Sequence, residues 1–299
     1  MSTTTDDQPG VAATTEALTE PYVGSLSPSR AADFKTCPLL YRFRSIDHLP
    51  EPPSSAATRG TMVHAVLEAL FDLPANERTL EAARGLLPDA WQRVIAEEPA
   101  ASELFAEDED GSQFGDWMDS AATMLGAYFA LEDPTRIEPA AREELVEVVI
   151  DGLRLRGYVD RLDISPAGDI RVVDYKTGVS PREAFEGKAL FQMKFYALVL
   201  WRVRGVVPRQ LRLMYLTDGD TLTYAPDADE LVRFERTLQA IWAAIVKATE
   251  AGDFRPNPGR ICDWCAHQAL CPAFGGTPPP FPDGVTADAG HYRPGEIGA

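Results

Sequence analysis

Between residues 144 and 175 the chain changes its hydrophobic period, and this change limits its possible architectures more than any other feature. Upstream, Met62, Val63, Val66, Leu67, Leu70 and Phe71 recur at the spacing of one helix face. Then residues 144–150, 153–162 and 170–175 are short and rich in Val and Ile. Turn residues Asp151-Gly152 and Pro166-Ala-Gly168 separate them, a pattern that predicts a β-meander. Residues 189–201 return to the helical period, 210–216 read as a strand, and 228–249 as a long amphipathic helix. Near the start, Ser27-Pro-Ser-Arg30 reads as the N-cap of a short helix that Cys37-Pro38 ends. Residues 76–131 read as helical, interrupted by an acidic linker. Helices, meander, helix, strand and helix in that order predict an α/β fold whose core sheet carries a large helical elaboration.

Length and composition set the outer limits. The 299 residues are 45% hydrophobic and 25% charged, ordinary for a globular chain. No apolar run approaches the ~18 residues of a membrane span. The first twenty residues hold no Lys or Arg and no apolar stretch, so no signal peptide is read there and a cytoplasmic location is expected. Residues 1–24 and the Pro/Gly-rich 275–299 are expected to be disordered tails around one domain, 25–274. That domain divides into a helical part (25–140), a core (141–250) and a cysteine segment (251–274).

The net charge of −18 opposes a nucleic-acid partner at first sight. Its distribution is uneven: residues 97–119 hold nine acids and no base, whereas 187–217 hold six bases and no acid. A basic groove beside an acidic outer face is compatible with that pattern, as is a pair of simply solvated faces. No phosphate loop G-x-x-x-x-G-K-[ST] and no G-x-G-x-x-G fingerprint occurs, which argues against a nucleotide-driven motor or a dinucleotide enzyme.

The chemistry concentrates on the last hairpin of the meander. In an extended strand Asp174 and Lys176 share a face and Tyr175 takes the other. Asp160 ends the preceding strand, where antiparallel pairing can set its carboxylate beside that of Asp174. Two carboxylates hold a hard cation such as Mg²⁺ or Mn²⁺ and leave coordination positions for water and a phosphate. A lysine beside them orients the attacking water and offsets charge developing on phosphorus. A bare D-x-K is common in solvated hairpins. Here Asp174 closes the apolar strand Ile170-Arg-Val-Val173, at the mouth of a sheet where ligand sites gather.

Gly157-Tyr-Val-Asp160-Arg-Leu-Asp163, Val173-Asp174-Tyr-Lys176-Thr-Gly178, Gln192-x-x-x-Tyr196 and Arg59-Gly60-Thr61-x-x-His64 together resemble the RecB-like branch of the PD-(D/E)XK nucleases. The resemblance runs in the family's order from about Leu26 to Phe274. It implies a restriction-endonuclease-like core sheet flanked by helices, and a metal-dependent DNA exonuclease of repair, recombination or defence. Asp160, Asp174 and His64 would be metal ligands, with the Tyr175 carbonyl, and Lys176 the catalytic lysine; Gln192 and Tyr196 would serve the site or the DNA backbone. Glu144 stands where many relatives carry a further glutamate, with Glu143 equally placed by spacing. DNA, as single strands or ends, would be the substrate, and a helicase a possible partner. The alternative is a non-catalytic DNA-binding subunit of a helicase–nuclease complex, although relatives of that kind lose a ligand or the lysine.

The only cysteines are Cys37, Cys262, Cys265 and Cys271. Three stand as C-x₂-C-x₅-C and one lies 225 residues upstream. Four thiols in a reducing compartment read as one metal site, and both structural zinc and [4Fe–4S] accept four thiolates. Two disulfides are the competing reading. The one-plus-three arrangement is similar to the iron–sulfur staple of AddB-type nuclease domains and CRISPR-associated RecB-like exonucleases, which implies a [4Fe–4S] cluster tying the N-terminal helix to the C-terminal segment. Phe34, Tyr41, Phe43 and Trp264 flank these cysteines and are expected to pack around the cluster, stacking on bases being the alternative.

Overall fold

A computed structural model describes residues 25–181, 187–282 and 284–285. The tails expected over 1–24 and 286–299 lie outside the described residues. After strand β1 (Ser25–Leu26) comes helix α1 (Pro28–Thr36), whose N-cap Ser27 Oγ accepts from the Arg30 amide at 3.2 Å. Cys37 is extended because Pro38 follows it, and Pro38 in turn opens α2 (Pro38–Ser45). Four helices follow: α3 (Ser55–Leu70), α4 (Leu80–Gly85), α5 (Leu87–Glu97) and α6 (Ser112–Leu131).

The meander forms as expected, with β2 (Ala141–Ile150), β3 (Leu153–Ile164) and β4 (Ile170–Lys176) antiparallel in sequence. Asp151 and Gly152 both have positive φ (48° and 80°), the left-handed pair that a two-residue hairpin needs to match the twist of its strands. Helix α7 (Gly187–Arg204) then crosses over to β5 (Gln210–Tyr215), parallel to β4. A further edge strand, β6 (Asp220–Tyr224), precedes α8 (Ala228–Ala251). The sheet order is β1-β3-β4-β5-β6, with β2 on the other side of β3.

Two cores press on opposite faces of this sheet. Leu155, Val159, Leu162 and Val172 are buried against α1, α2, α7 and α8, whereas Val173, Tyr175 and Met214 are buried against α3 to α6. The alternation along β4 thus sends successive side chains into different cores. Burying each such side chain contributes about 1.5–3 kcal/mol.

One polar group sits in the second core. Arg161 is fully buried and bridges Glu132, the C-cap of α6 (2.6 and 2.9 Å), Asp163 (3.1 and 3.2 Å) and the Tyr175 hydroxyl (2.9 Å). This bidentate pairing is what a buried guanidinium requires. It ties α6, β3 and β4 together behind the strand that carries Asp174. Residues 275–282, expected to belong to the tail, pack on the body: Phe281 stacks on Phe254 at 5.9 Å and Arg42 donates to the Pro279 carbonyl at 2.5 Å. Apolar Phe281 inside the Pro-rich run supplies the contact. No helix among the described residues is long and apolar enough to cross a membrane.

Candidate active site

Strands β3 and β4 part at their ends, and the polar side chains gather in the gap. Paired register runs from Ile164–Ile170 to Arg161–Val173 and stops there. Beyond it, Asp160 Oδ2 accepts from the Tyr175 amide at 2.6 Å, so its carboxylate takes the place of a ladder carbonyl. Asp174 Oδ1 accepts from Gln192 Nε2 of α7 at 3.0 Å. Lys176 Nζ lies 2.6 Å from Asp174 Oδ2, an ion-pair contact. That oxygen is buried with the Lys176 ammonium as its close partner, and a carboxylate oxygen has a further lone pair to offer.

Helix α3 supplies the opposite wall. His64 Nε2 donates to the Tyr175 carbonyl at 2.9 Å, since a carbonyl can only accept. Its Nδ1 then faces Asp160 Oδ2 (3.5 Å) and Glu143 Oε1 (3.8 Å). His64, Glu143 and Asp160 each offer a ligand atom within 4.8 Å of the others, the one such group among the described residues. Two glycines make the approach possible. A Cβ on Gly60 of α3 would stand 2.9 Å from Thr177 Oγ1, and one on Gly157 would stand 2.8 Å from the Tyr196 ring.

The glutamate that stands beside His64 and Asp160 is Glu143 rather than the expected Glu144. Glu144 pairs with Arg204 of α7 at 3.3 Å, on the face turned away from His64. Glu143 has a φ of 43°, a local twist that breaks the ladder and throws its side chain toward α3. Spacing could not decide between neighbours whose order depends on that one dihedral. The other expected site residues converge: His64, Asp160, Asp174, the Tyr175 carbonyl, Lys176 and Gln192 line one gap, with Tyr196 buried beside Gly157.

Crowded acids raise one another. Burial, and then the charge of Asp160, push Glu143 up to about 7. Burial pushes Asp160 up to about 6, against the pull of His64 and with a further push from Asp174. Burial alone would lower Lys176, but Asp174 and Asp160 together hold it above its ordinary value, so it stays cationic. Burial raises the Tyr196 hydroxyl too, which keeps it a donor.

The four cysteines are free thiols that line one pocket between the end of α1 and residues 256–274. The Asn257 amide points at Cys37 Sγ and the Gly259 amide at Cys262 Sγ, each at 3.4 Å. Among the described residues, no three of these sulfurs lie within 4.8 Å of one another. Of the flanking aromatics, Phe34, Tyr41 and Phe43 pack inward as expected, but Trp264 is 80% exposed. Five of the six bases of 187–217 are paired with carboxylates. Lys194, Arg202, Arg204, Arg209 and Arg212 pair with Glu230, Glu235, Glu144, Asp169 and Glu132.

A sequence profile of the PD-(D/E)XK nuclease superfamily matches residues 25–272. Gene 69 protein of Mycobacterium phage D29 is 26% identical over 280 residues, covering 83% of this chain and 96% of that protein. Gene 69 protein of Mycobacterium phage L5 is 28% identical over 130 residues, 42% of each. Among solved structures, a candidate exonuclease from Eubacterium rectale superposes with a TM-score of 0.54 at 11% identity, covering 87% of this chain and 94% of that one. At that identity the likeness is one of fold. With the profile spanning nearly all the described residues and the acids, lysine and histidine gathered at the parted strands, the chain belongs to the PD-(D/E)XK nuclease superfamily.

Proposed function

We propose that the chain is a divalent-metal-dependent deoxyribonuclease of the RecB-like branch, acting as an exonuclease on DNA ends or single strands. The observation that carries this reading is the convergence of His64, Glu143, Asp160 and Asp174 with Lys176 at one mouth of the sheet. The donor set suits a hard cation: three acids, one imidazole and a backbone carbonyl gathered at one mouth of the sheet. Mg²⁺ or Mn²⁺ held there would supply Lewis-acid chemistry toward a phosphodiester.

The chain's own residues do the rest. Gln192 fixes the Asp174 carboxylate through Oδ1 and leaves Oδ2 turned to the site. Lys176, held cationic by its two acids, donates to the attacking water or to a non-bridging phosphate oxygen and offsets the charge that grows there. Tyr196 keeps its proton and can donate to the backbone of the bound strand. Arg161 holds the Tyr175 ring from behind and so fixes the carbonyl that faces His64.

The cysteines support a [4Fe–4S] staple with a structural role. The one-plus-three spacing of Cys37, Cys262, Cys265 and Cys271 around one pocket supports it. Closing a loop of more than two hundred residues constrains the unfolded chain. Incubating end-labelled single- and double-stranded DNA with Mg²⁺ or Mn²⁺ tests the function. Cleavage by the wild type that Lys176→Ala lowers at least ~10²-fold is expected. Binding without cleavage in every metal would instead identify a non-catalytic DNA-binding subunit, with a helicase as its companion.

A further inference from the structure

The β2–β3 ribbon continues past the site as an open face. Glu143 and Asp160 stand at adjacent places in the two strands. The next paired steps outward set Leu145 against Tyr158, Glu147 against Arg156, and Val149 against Arg154. Directly paired residues share a face, and alternate residues along a strand share it too. The ribbon's opposite face, with Val146, Leu155 and Val159, is buried under α7. The outward face is in solvent: Val149 is 51% exposed, Leu145 41% and Tyr158 36%. Exposed apolar side chains on either side of the Glu147–Arg156 step, beside a reaction site, mark a binding surface.

Three properties of the row identify its occupant. Its charge is the first. Lys194, Arg202, Arg204, Arg209 and Arg212 are held by carboxylates, whereas this row adds Arg154 to the Glu147–Arg156 step on a chain of net charge −18. Arg154 Nε is shielded from solvent and meets no acceptor among the described residues. Spacing is the second. Alternate strand residues lie about 6.8 Å apart, twice the ~3.4 Å rise per nucleotide of a stacked duplex strand. Successive nucleotides therefore meet successive rows when an unpaired strand is drawn out to about twice its stacked rise, whereas a stacked strand meets a row at every second nucleotide. Chemistry is the third: an aromatic ring one step from the acids, flanked by aliphatics and followed by arginines, offers stacking and phosphate contacts at once.

We infer that this face is the track for a single-stranded stretch of substrate. Tyr158 stacks on the base next to the cleaved bond, and Arg154 takes a phosphate two steps farther out. The inference rests on the nuclease reading and adds to it the strand state of the substrate and the path by which it leaves the site.

Fluorescence anisotropy of a labelled single-stranded 12-nucleotide DNA, with Ca²⁺ in place of Mg²⁺ to hold off hydrolysis, tests it. Tyr158→Ala and Arg154→Ala should each weaken binding about tenfold. Arg154→Ala should also lower the salt slope by about 0.7, and Tyr158→Phe should bind as wild type does. Hydrolysis of bis(p-nitrophenyl) phosphate, too small to reach the ribbon, should keep its rate in both alanine variants. Should Arg154→Ala fold poorly, Val149→Asp places a carboxylate on the most exposed position of the track and should weaken binding equally. Wild-type affinity and salt slope in the variants would overturn the inference while leaving the nuclease reading intact. A dimer in light scattering that Tyr158→Ala dissolves would assign the face to a second copy and overturn it as well. A wild-type protein that neither binds nor cleaves any oligonucleotide would sink the nuclease reading, and this inference with it.

Discussion

Asp174 and Lys176 are residues whose placement follows from a local rule, because strand alternation sets them on one face, whereas only the resemblance of its motif singles out His64. Glu143 is different. Its side chain reaches His64 only because its φ of 43° breaks the ladder, and no residue count distinguishes it from Glu144. Gly157 belongs with Glu143: its motif position was visible, but its reason is the Tyr196 ring 2.8 Å from where a Cβ would stand. Gly157→Ala is expected to cost about 1–3 kcal/mol by overpacking and to lower cleavage by displacing Tyr196. Urea denaturation and a cleavage assay on the same preparation measure the two effects separately. Wild-type values in both would show that the ring moves aside freely.

The elements were legible wherever a period was strong. The helical stretch around Met62 and Val66, the meander and the crossover helix stand close to where sequence put them. Strand β6 was not read, because Asp220–Tyr224 alternates Thr with Leu and Tyr beneath an acidic turn and acquires its strand character by pairing with β5. Arg161 likewise gave no sign of its burial, since a charged residue on a strand ordinarily faces water. Its partner Glu132 caps the end of α6, 29 residues away. Glu132→Ala should therefore destabilise the fold by about 3–5 kcal/mol, since it strands a buried guanidinium. The Arg161 partnership, outweighing the effect of burial, holds Glu132 below its ordinary carboxylate range. Its contribution is thus complete above its unfolded value near 4.5 and is lost as pH falls through the lower folded value. Acid titration of the wild type beside Glu132→Gln should show a smaller loss of stability in the variant.

Across the whole molecule, two polar centres sit apart on one scaffold and respond to different reagents. At the acids, folded values of about 7 for Glu143 and about 6 for Asp160 lie above their unfolded ones. The stability of the metal-free protein from these groups is therefore present at low pH and lost as pH rises through 6 to 7. A bound cation replaces those protons. Mn²⁺ should accordingly raise the melting temperature more at pH 8 than at pH 5.5, and an equal rise at both would contradict the assigned ligands. At the thiols, protein purified without oxygen should be brown, absorbing near ~400 nm, and Cys37→Ser should lower its melting temperature more than its cleavage rate. A colourless protein with one zinc per chain would replace the cluster by zinc. The claim on which the rest depends is that one constellation at the parted strands holds a divalent cation. Titration calorimetry with Mn²⁺ at pH 8 tests it directly: binding should be strong in the wild type and in Glu144→Gln, and at least about tenfold weaker in Glu143→Gln and Asp174→Asn. Wild-type affinity in Asp174→Asn, or equal losses in Glu143→Gln and Glu144→Gln, would contradict it.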